Sequence, residues 1–492
     1  MRHGKFVKRR SMCWPCARAL VVTSAAVLLA ATAAANPAFD RAPWIEDLEQ
    51  ARGAFATKYA NLEWAVLERE IDLSALFSTT RTRIEVASSD ADARAAFERM
   101  VKRLGDGHVR IRWSDSQAPQ ATPHADCQAL NYDARMQGIY VAALIPAYTP
   151  LAGSVARVFP AGVIREERRT IGVIRIGVFT PEGFPELCAE ALTALQIAPT
   201  ALCDEACAEH IKDWVSARMT QDLIAQLRAL KSVGADVLVV DLIDNGGGTE
   251  WYEAAMRMVT GVRLKAARID FVRGTQWTTE LAEREGKLRA AAGGEQGSDR
   301  VLLLNLADQA AAKRREAESP CDSTPMWNGK HASCRWLGEG FFSSGLLESG
   351  DPELLRGRPW GSLVFEPVKF PYHEGVWDGP LIVLVNQGTA SAAEGFAAEL
   401  QDNHAAVIMG APTLGAGCGH TDGSAPTVLK HSGARLELPD CVRVRADGTN
   451  EVMGVEPDIL VGLRPEDGPH RRALRIAEKL PLAVAQVFSK RN

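Results

Sequence analysis

The sequence predicts an α/β fold in which buried strands lead directly into helices. Two apolar runs show this pattern, at residues 237–240 and 381–385, and neither has the polar alternation of a half-exposed strand. Continuous runs of this kind are typical of strands covered on both faces. Each run ends in a turn of small residues, and a helix is predicted after it, from near Glu250 in the first case and over 392–400 in the second.

Further elements follow from the spacing of apolar residues. Residues 40–104 have apolar side chains at roughly helical intervals, which predicts a small helical cap domain. Residues 184–233 also have helical character, and the tail from His470 is predicted as an amphipathic helix. Short strands are predicted at 109–113, 138–145, 171–179 and 301–308.

These elements divide the chain into consecutive segments, with an α/β core that an insertion interrupts. The predicted bounds are 1–35 for a signal peptide, 36–104 for the helical cap, 105–165 for linker strands and an insertion, 166–300 for the first half of the core, 301–378 for the insertion, 379–465 for the second half of the core and 466–492 for a C-terminal helix.

The first 35 residues have the composition of a secretory signal peptide. Six basic residues and no acidic ones accompany an apolar run that ends in small residues. An uncleaved membrane anchor is the alternative, but the run is short for a span. Cleavage near Ala35 would remove those six charges and move the net charge from −5 to −11, which argues against a nucleic-acid partner. We therefore predict an exported protein, periplasmic or extracellular, with no stable membrane span after cleavage.

Eight cysteines remain after the predicted signal peptide. An even number in an exported chain predicts at least two disulfides. Cys321 with Cys334 would close a short loop, and Cys418 with Cys441 would tie the segment after residues 392–400 to the following hairpin. Zinc binding is the alternative, but no remaining pair has C-x-x-C spacing.

Ser391 is the candidate nucleophile, at the predicted junction of strand and helix. A serine hydroxyl there can point into a cleft. The next backbone N–H, that of Ala392, lies at a helix N-terminus, which favours an anion. An acyl-transfer nucleophile and half of an oxyanion hole need this arrangement. The alternative is that Ser391 only caps the helix.

A run of three glycines after residues 237–240 is the candidate for the other half of the oxyanion hole. Gly246 and Gly247 belong to this run, whose N–H groups can form an anion-binding concavity. A flexible turn is the alternative. A phosphate loop is less favoured, because no Gly-Lys-Ser/Thr follows the glycines.

The segments DLIDNGGG, VNQGTASAAE and GVEPDI, in this order, resemble the tail-specific (C-terminal-processing) and tricorn-type serine peptidases. The resemblance covers roughly residues 95–115 and 165–465, with gaps. It implies an α/β core of the ClpP/crotonase type, to which the N-terminal cap and the insertions are added. Many relatives have a PDZ module, which we expect to be absent or degenerate because no G-L-G-F pattern occurs before residue 166.

The resemblance also indicates the catalytic base. Tail-specific enzymes use a lysine at the position of Ala416, and alanine cannot accept a proton. Tricorn-like enzymes use a histidine at the position of His108 and a glutamate at the position of Glu451, just before GVEPDI. Two departures are Gly107, where a serine is frequent, and Ile243, where the pattern has an arginine.

The sequence therefore predicts an exported serine endopeptidase that cleaves unfolded or oligopeptide substrates without a metal or cofactor. Ser391 would attack the peptide carbonyl, His108 would transfer the proton and Glu451 would orient the pair, directly or through a bridging hydroxyl. Ala392 and the glycine run would bind the oxyanion. The alternative is a non-catalytic relative that binds peptides or hydrophobic ligands.

Overall fold

The structure is a computed structural model, which describes residues 39–113, 124–151, 158–166, 169–421 and 426–489. The predicted signal peptide lies outside these ranges. None of the described helices is both long enough and apolar enough to cross a membrane. The helices are α1 Ala42–Lys58, α2 Leu73–Glu85, α3 Asp90–Leu104, α4 Pro185–Ala194, α5 Glu205–Ser232, α6 Trp251–Met258, α7 Thr275–Gly293, α8 Gly297–Ala317, α9 Pro352–Leu355, α10 Gly361–Val364, α11 Ala392–Asp402 and α12 Pro469–Ser489.

The strands form one large sheet and two small ones within the described residues. Their bounds are β1 Arg110–Arg112, β2 Tyr148–Pro150, β3 Ala161–Glu166, β4 Arg169–Arg175, β5 Val237–Asp241, β6 Arg268–Val272, β7 Leu337–Phe342, β8 Leu381–Val385, β9 Val407–Gly410, β10 Thr427–Val428, β11 Arg435–Glu437, β12 Cys441–Val444 and β13 Ile459–Leu460.

The large sheet has the order β13-β9-β8-β5-β4-β3-β2 in the described part of the chain. Strands β13 to β4 run parallel, and β3 and β2 continue the sheet antiparallel. Every residue of β5 and β8 is buried, as their apolar runs predicted. Leu238 and Val240 belong to a core shared with α5, α6 and α11, whereas Val237 and Val239 belong to one shared with α12. The predicted α/β class is confirmed.

This topology brings the glycine run and Ser391 together. β5 and β8 are parallel neighbours, paired from Leu238 with Leu381 to Asp241 with Leu384. The carboxyl ends of neighbouring parallel strands meet at the same edge of a sheet, where α/β proteins usually bind ligands. The glycine run follows β5, and the turn that ends in Ser391, here called the serine turn, follows β8. The two loops are therefore adjacent.

The small sheets position the remaining site segments. β1, directly after His108, pairs antiparallel with β11, and β11 pairs with β10. β12, β6 and β7 form the second small sheet. The predicted helices over 40–104, within 184–233 and from His470 are confirmed as α1–α3, α4–α5 and α12.

The predicted strand at 301–308 is wrong, because these residues lie inside α8. Leu303, Leu306, Ala307 and Ala310 are buried, which is the i, i+3, i+4, i+7 spacing of a helix face. An apolar run of eight residues does not by itself distinguish a buried strand from a helix. The alanine- and arginine-rich residues that follow favour the helix.

The predicted strand at 138–145 is also wrong. Its only regular element is a single 3-10 turn, Ala142–Leu144. The N–H of Ala142 donates to the Asp241 carboxylate at 3.2 Å. This backbone group is therefore bonded to a side chain and not to the backbone of a neighbouring strand. Val141 and Ala142 are buried in the core that contains α12.

All eight cysteines of the described residues form disulfides, Cys127–Cys188, Cys203–Cys207, Cys321–Cys334 and Cys418–Cys441. The prediction of at least two bridges is confirmed, as are the two pairs named from the sequence. The zinc alternative is wrong for these cysteines, because their sulfurs are bonded to one another and are not free thiolates.

Candidate active site

Ser391 is the N-cap residue of α11 and has a backbone φ of 58° and ψ of −119°. A positive φ is uncommon outside glycine, whereas N-cap residues usually have extended backbone. Helix capping alone therefore does not account for this conformation. A sharp strand-to-helix turn with a strained serine is the arrangement that exposes a nucleophile. Within the described residues the N–H of Ala392 has no hydrogen-bond partner.

The serine turn is bonded to the loop after β5. The N–H of Ala390 donates to the Asn245 carbonyl at 2.9 Å. The Thr389 hydroxyl donates to the Leu242 carbonyl at 2.9 Å. Gly247 has a φ of +103°, and a Cβ on it would lie 2.8 Å from Ser391 Cβ. The glycine is therefore required where the two loops touch.

The two predicted glycine donors differ in availability. The N–H of Gly247 donates to Asn245 Oδ1 at 2.9 Å, so it is less available as an oxyanion donor than a free N–H. Gly246 is exposed, and its N–H has no partner in the part of the chain that the structure describes. Gly246 and Ala392 remain as the candidate oxyanion donors.

His108 lies between α3 and β1, and its Nδ1 is 2.7 Å from the carbonyl oxygen of Ala416. A carbonyl can only accept, so Nδ1 carries the hydrogen and Nε2 of the neutral ring has a free lone pair. Burial lowers the pKa of the imidazole to about 4, with smaller lowering by the charges of His420 and Arg110; the Ala416 carbonyl and Glu394 oppose this shift. The ring is therefore neutral at neutral pH and can accept a proton.

The segment that contains His108 is bonded to the helical cap region. The buried Asp106 carboxylate accepts the His108 N–H at 2.9 Å, the Tyr59 hydroxyl at 3.0 Å and the Asn61 amide at 2.9 Å. The side-chain oxygen Oδ1 of Asn61 in turn accepts from the side-chain amide of Asn450 at 2.8 Å. Asn61 thus joins the segment of His108 to the segment that contains Glu451.

Gly107, the first departure from the peptidase patterns, packs against Ala416, which stands at the lysine position of the tail-specific enzymes. A Cβ on Gly107 would lie 3.1 Å from the Cβ of Ala416, and Ala416 is almost fully buried. Residues 107 and 416 therefore lie in close contact at the loop that binds His108.

Glu394 links the serine turn to the loop that binds His108, a role not recognised from the sequence. Its Oε2 accepts the N–H groups of Ser391 at 2.8 Å and Ala416 at 2.9 Å. Its Oε1 accepts the Thr413 hydroxyl and the Gly415 N–H, both at 2.6 Å. The S-x-x-E spacing of a capping box in ASAAE was the sequence signal that could have identified it.

Glu451 is fully buried in a 3-10 turn, Glu451–Met453. Its Oε1 accepts from Arg443 Nη1, and its Oε2 has no hydrogen-bond partner among the described residues. Burial raises the pKa of this carboxyl to about 7, against the lowering effect of Arg443. Glu451 is hydrogen-bonded to Arg443, and His108 Nδ1 is hydrogen-bonded to the Ala416 carbonyl. The predicted direct contact of Glu451 with this nitrogen is therefore not present.

Ile243, the second departure, is buried, and its carbonyl accepts from the Arg175 guanidinium at 2.6 Å. Arg175 also donates to the Asp241 carbonyl at 3.2 Å. A buried guanidinium from β4 therefore stabilises the loop before the glycine run. The side chain at 243 itself only packs in the core that contains α12.

Comparisons with known proteins identify similar sequences and structures. Residues 210–461 match peptidase family S41. The carboxyl-terminal-processing protease of Synechocystis sp. (strain ATCC 27184 / PCC 6803 / Kazusa) is 57% identical over 44 residues, 9% of this chain and 10% of the relative. The chloroplastic C-terminal processing peptidase of Tetradesmus obliquus is 37% identical over 86 residues, 16% of this chain and 18% of the relative. The matches thus span less than a fifth of either relative.

Among solved structures, mature CPAF has the same fold, with a TM-score of 0.59. The match covers 91% of this chain and 98% of CPAF, at 14% sequence identity. Identity at this level establishes a shared architecture and no more.

Proposed function

Because the chain belongs to peptidase family S41, we propose that it is an exported serine endopeptidase that cleaves unfolded or oligopeptide substrates. The observation that supports this most directly is one hydrogen-bonded path. It runs from the Ser391 N–H to Glu394, from Glu394 to the Ala416 N–H, and from the Ala416 carbonyl to His108 Nδ1. The candidate nucleophile and the candidate base thus share one rigid set of contacts.

In the proposed reaction the Ser391 hydroxyl attacks the peptide carbonyl while His108 Nε2 takes its proton. The N–H groups of Ala392 and Gly246 stabilise the oxyanion. His108 then gives the proton to the leaving amine, and the C–N bond breaks to leave an acyl-enzyme. Water repeats the sequence, with His108 again as base, and releases the acid.

Glu451 has a different place in this proposal from the one the sequence suggested. Its carboxylate binds Arg443, which also lies over the Tyr252 ring at 5.6 Å. We assign Glu451 to orienting the site through Arg443 and its own turn. Gly415 and Gly417 of the loop that binds His108 pack on this turn, since a Cβ on either would approach Val452 within 3.2 Å.

Export is supported by the basic and apolar N-terminal sequence and by the four disulfides of the described residues. Such bridges persist in oxidising compartments and are rare in the cytosol. The choice between periplasm and extracellular space depends on the type of cell envelope.

The test is labelling with a fluorophosphonate probe together with turnover of an unfolded protein substrate. We expect the parent to be labelled and Ser391→Ala to be neither labelled nor active. His108→Ala should lose nearly as much turnover as Ser391→Ala, because the members of a catalytic unit act together. A folded parent that binds peptide but resists the probe would support the non-catalytic alternative.

A further inference from the structure

A cavity of about 150 Å³ lies beside the candidate active site. Pockets for drug-sized ligands have roughly 300–1,000 Å³, so this volume suits a single amino-acid side chain. Among its lining residues, Tyr252 follows the glycine run on α6, His420 follows the loop that binds His108, and Arg443 lies on β12.

Two further observations place this cavity next to the reacting groups. A Cβ on Gly395, in the first turn of α11 after Ser391, would lie 2.7 Å from Arg443 Nη1 and 3.1 Å from Tyr252 Cε2. Two lining residues therefore touch the helix that begins at the nucleophile. The His420 ring packs edge-on against the His108 ring, with centroids 5.9 Å apart. The cavity is thus bordered by the elements of both the nucleophile and the base.

Aromatic and aliphatic side chains form part of the wall between the polar groups. Trp277 and Phe341 are 2% and 4% exposed, and Ile269 lies on β6 opposite Arg443 of β12. All three line the cavity. An apolar side chain that enters would replace water against these surfaces, which is favourable in proportion to the area buried.

The charged groups of the wall already have partners. Arg443 binds Glu451, and Arg284 binds Glu280 at 2.8 Å. Glu250 and Glu366 also have partners. A charged side chain would lose its hydration here without a free counter-charge from these four groups, which is costly.

We propose that this cavity binds one uncharged, apolar side chain of the substrate, from a residue next to the scissile bond, and so sets the cleavage preference. The inference rests on the proposed peptidase function, because it assigns the occupant to a bound peptide. Ile269 would then determine the size of the side chain that fits.

The test compares kcat/KM for quenched fluorescent peptides that carry Ala, Leu, Phe, Asp or Lys on either side of the cleaved bond. The parent should prefer Leu or Phe over Asp and Lys by at least about tenfold at one of these positions. Ile269→Trp should lower kcat/KM for the Leu and Phe peptides about tenfold and leave the Ala peptide nearly unchanged. Ile269→Ala should shift the preference towards Phe. Leu337→Trp, on β7 of the same small sheet but outside the cavity, is the matched control.

Binding of the same peptides to Ser391→Ala, with and without Ile269→Trp, repeats the comparison without turnover. One outcome is that the parent resists the fluorophosphonate probe while the preference among bound peptides still depends on residue 269. That result would support the pocket and refute the peptidase proposal. A preference that residue 269 does not alter, in either measurement, overturns the pocket. An equal loss for all five peptides overturns it as well.

Discussion

Two buried carboxylates near the candidate catalytic residues have different surroundings. Glu394 accepts four hydrogen bonds from neutral donors of the serine turn and the loop at 413–416. Glu451 has one oxygen on Arg443 and the other without a partner in the described structure. Hydrogen bonds to a charged form stabilise it, whereas burial without them raises a carboxyl pKa. Glu394 is therefore suited to hold both loops in position as a hydrogen-bond acceptor.

We expect Glu394→Gln to lower kcat about a hundredfold with a smaller change in KM. The amide replaces one acceptor oxygen by an NH₂ group, so backbone N–H groups lose their acceptor and the serine turn shifts relative to His108; small displacements can cost about this much. Each donor left buried without a partner also costs roughly 1–3 kcal/mol of stability. Steady-state kinetics and melting curves measure both effects.

The matched control is Glu253→Gln, a buried glutamate on α6 whose carboxylate is paired with Arg257. It should lower the melting temperature with little change in kcat. If Glu394→Gln affected only stability, as the control does, its positioning role would be refuted.

The pH dependence of kcat/KM should report His108. Burial lowers the pKa of this imidazole to about 4, below its ordinary 6.5. Protonated histidine cannot accept the serine proton, so His108 should give kcat/KM a limb that rises with pH through about 4. In Glu394→Gln the midpoint of this limb should fall further, because the Glu394 charge raises this pKa. A second limb near 7 would belong to Glu451, and the absence of any limb near 4 in the parent would contradict the assignment of His108.

At the scale of elements, the site depends on two neighbouring parallel strands that end at one edge. The glycine run follows β5, and Ser391 follows β8. His108 lies on a third loop, which precedes β1 in another sheet. β1 pairs with β11, and His108 lies near residues 414–419. Glycines allow the backbones to approach where these loops meet.

We expect Gly247→Ala and Gly246→Ala to behave differently. Gly247 has a φ of +103°, and its Cβ would meet Ala390 O and Ser391 Cβ at 2.8 Å, so stability should fall by about 1–3 kcal/mol. Displacement of the serine turn should lower turnover about a hundredfold. A Cβ on Gly246 would meet no atom within 4 Å, and alanine keeps the N–H, so this variant should stay near the parent in both. Melting temperature and turnover are measured on each.

Loss of activity in Gly246→Ala at unchanged stability would show that substrate contacts this Cα directly. Parent-like activity in folded Gly247→Ala would remove the close approach of the glycine run from the proposed mechanism.

Across the whole molecule, the disulfides join distant segments, and one of them joins two segments of the site. Cys418 lies in the loop that binds His108 and Cys441 begins β12, which contains Arg443. Cys127–Cys188 spans 61 positions and ties residues before the large sheet to α4. Cross-links of this kind restrict the unfolded chain.

We expect protein isolated from its native compartment to contain no free thiol among the eight cysteines from 127 to 441. Alkylation before and after reduction, followed by mass spectrometry, measures this and also shows whether the N-terminus begins near residue 36. Cys13 and Cys16 should be absent from the mature chain. Eight thiols alkylated without reduction would contradict both the oxidising compartment and the four bridges.

The sequence by itself determined the local features of this protein. Continuous burial of β5 and β8, the turn at Ser391 and the pairing of Cys321 with Cys334 all depend on residues that are close in the chain. Their patterns of polarity and small residues are therefore visible without a structure. The run at 301–308 shows the limit, because its apolarity is equally compatible with a strand and with the helix that forms.

Only the tertiary structure decided how the site is assembled. The bond between His108 and Ala416 joins positions 308 apart, and neither residue signals the other in the sequence. Two further pairings are shorter in sequence but were also not predicted, namely the Gly247 N–H with Asn245 two residues earlier and Glu451 with Arg443 eight residues earlier. Which donors and acceptors are already engaged depends on distances set by strand pairing and loop packing, and a one-dimensional pattern of residue types does not contain those distances.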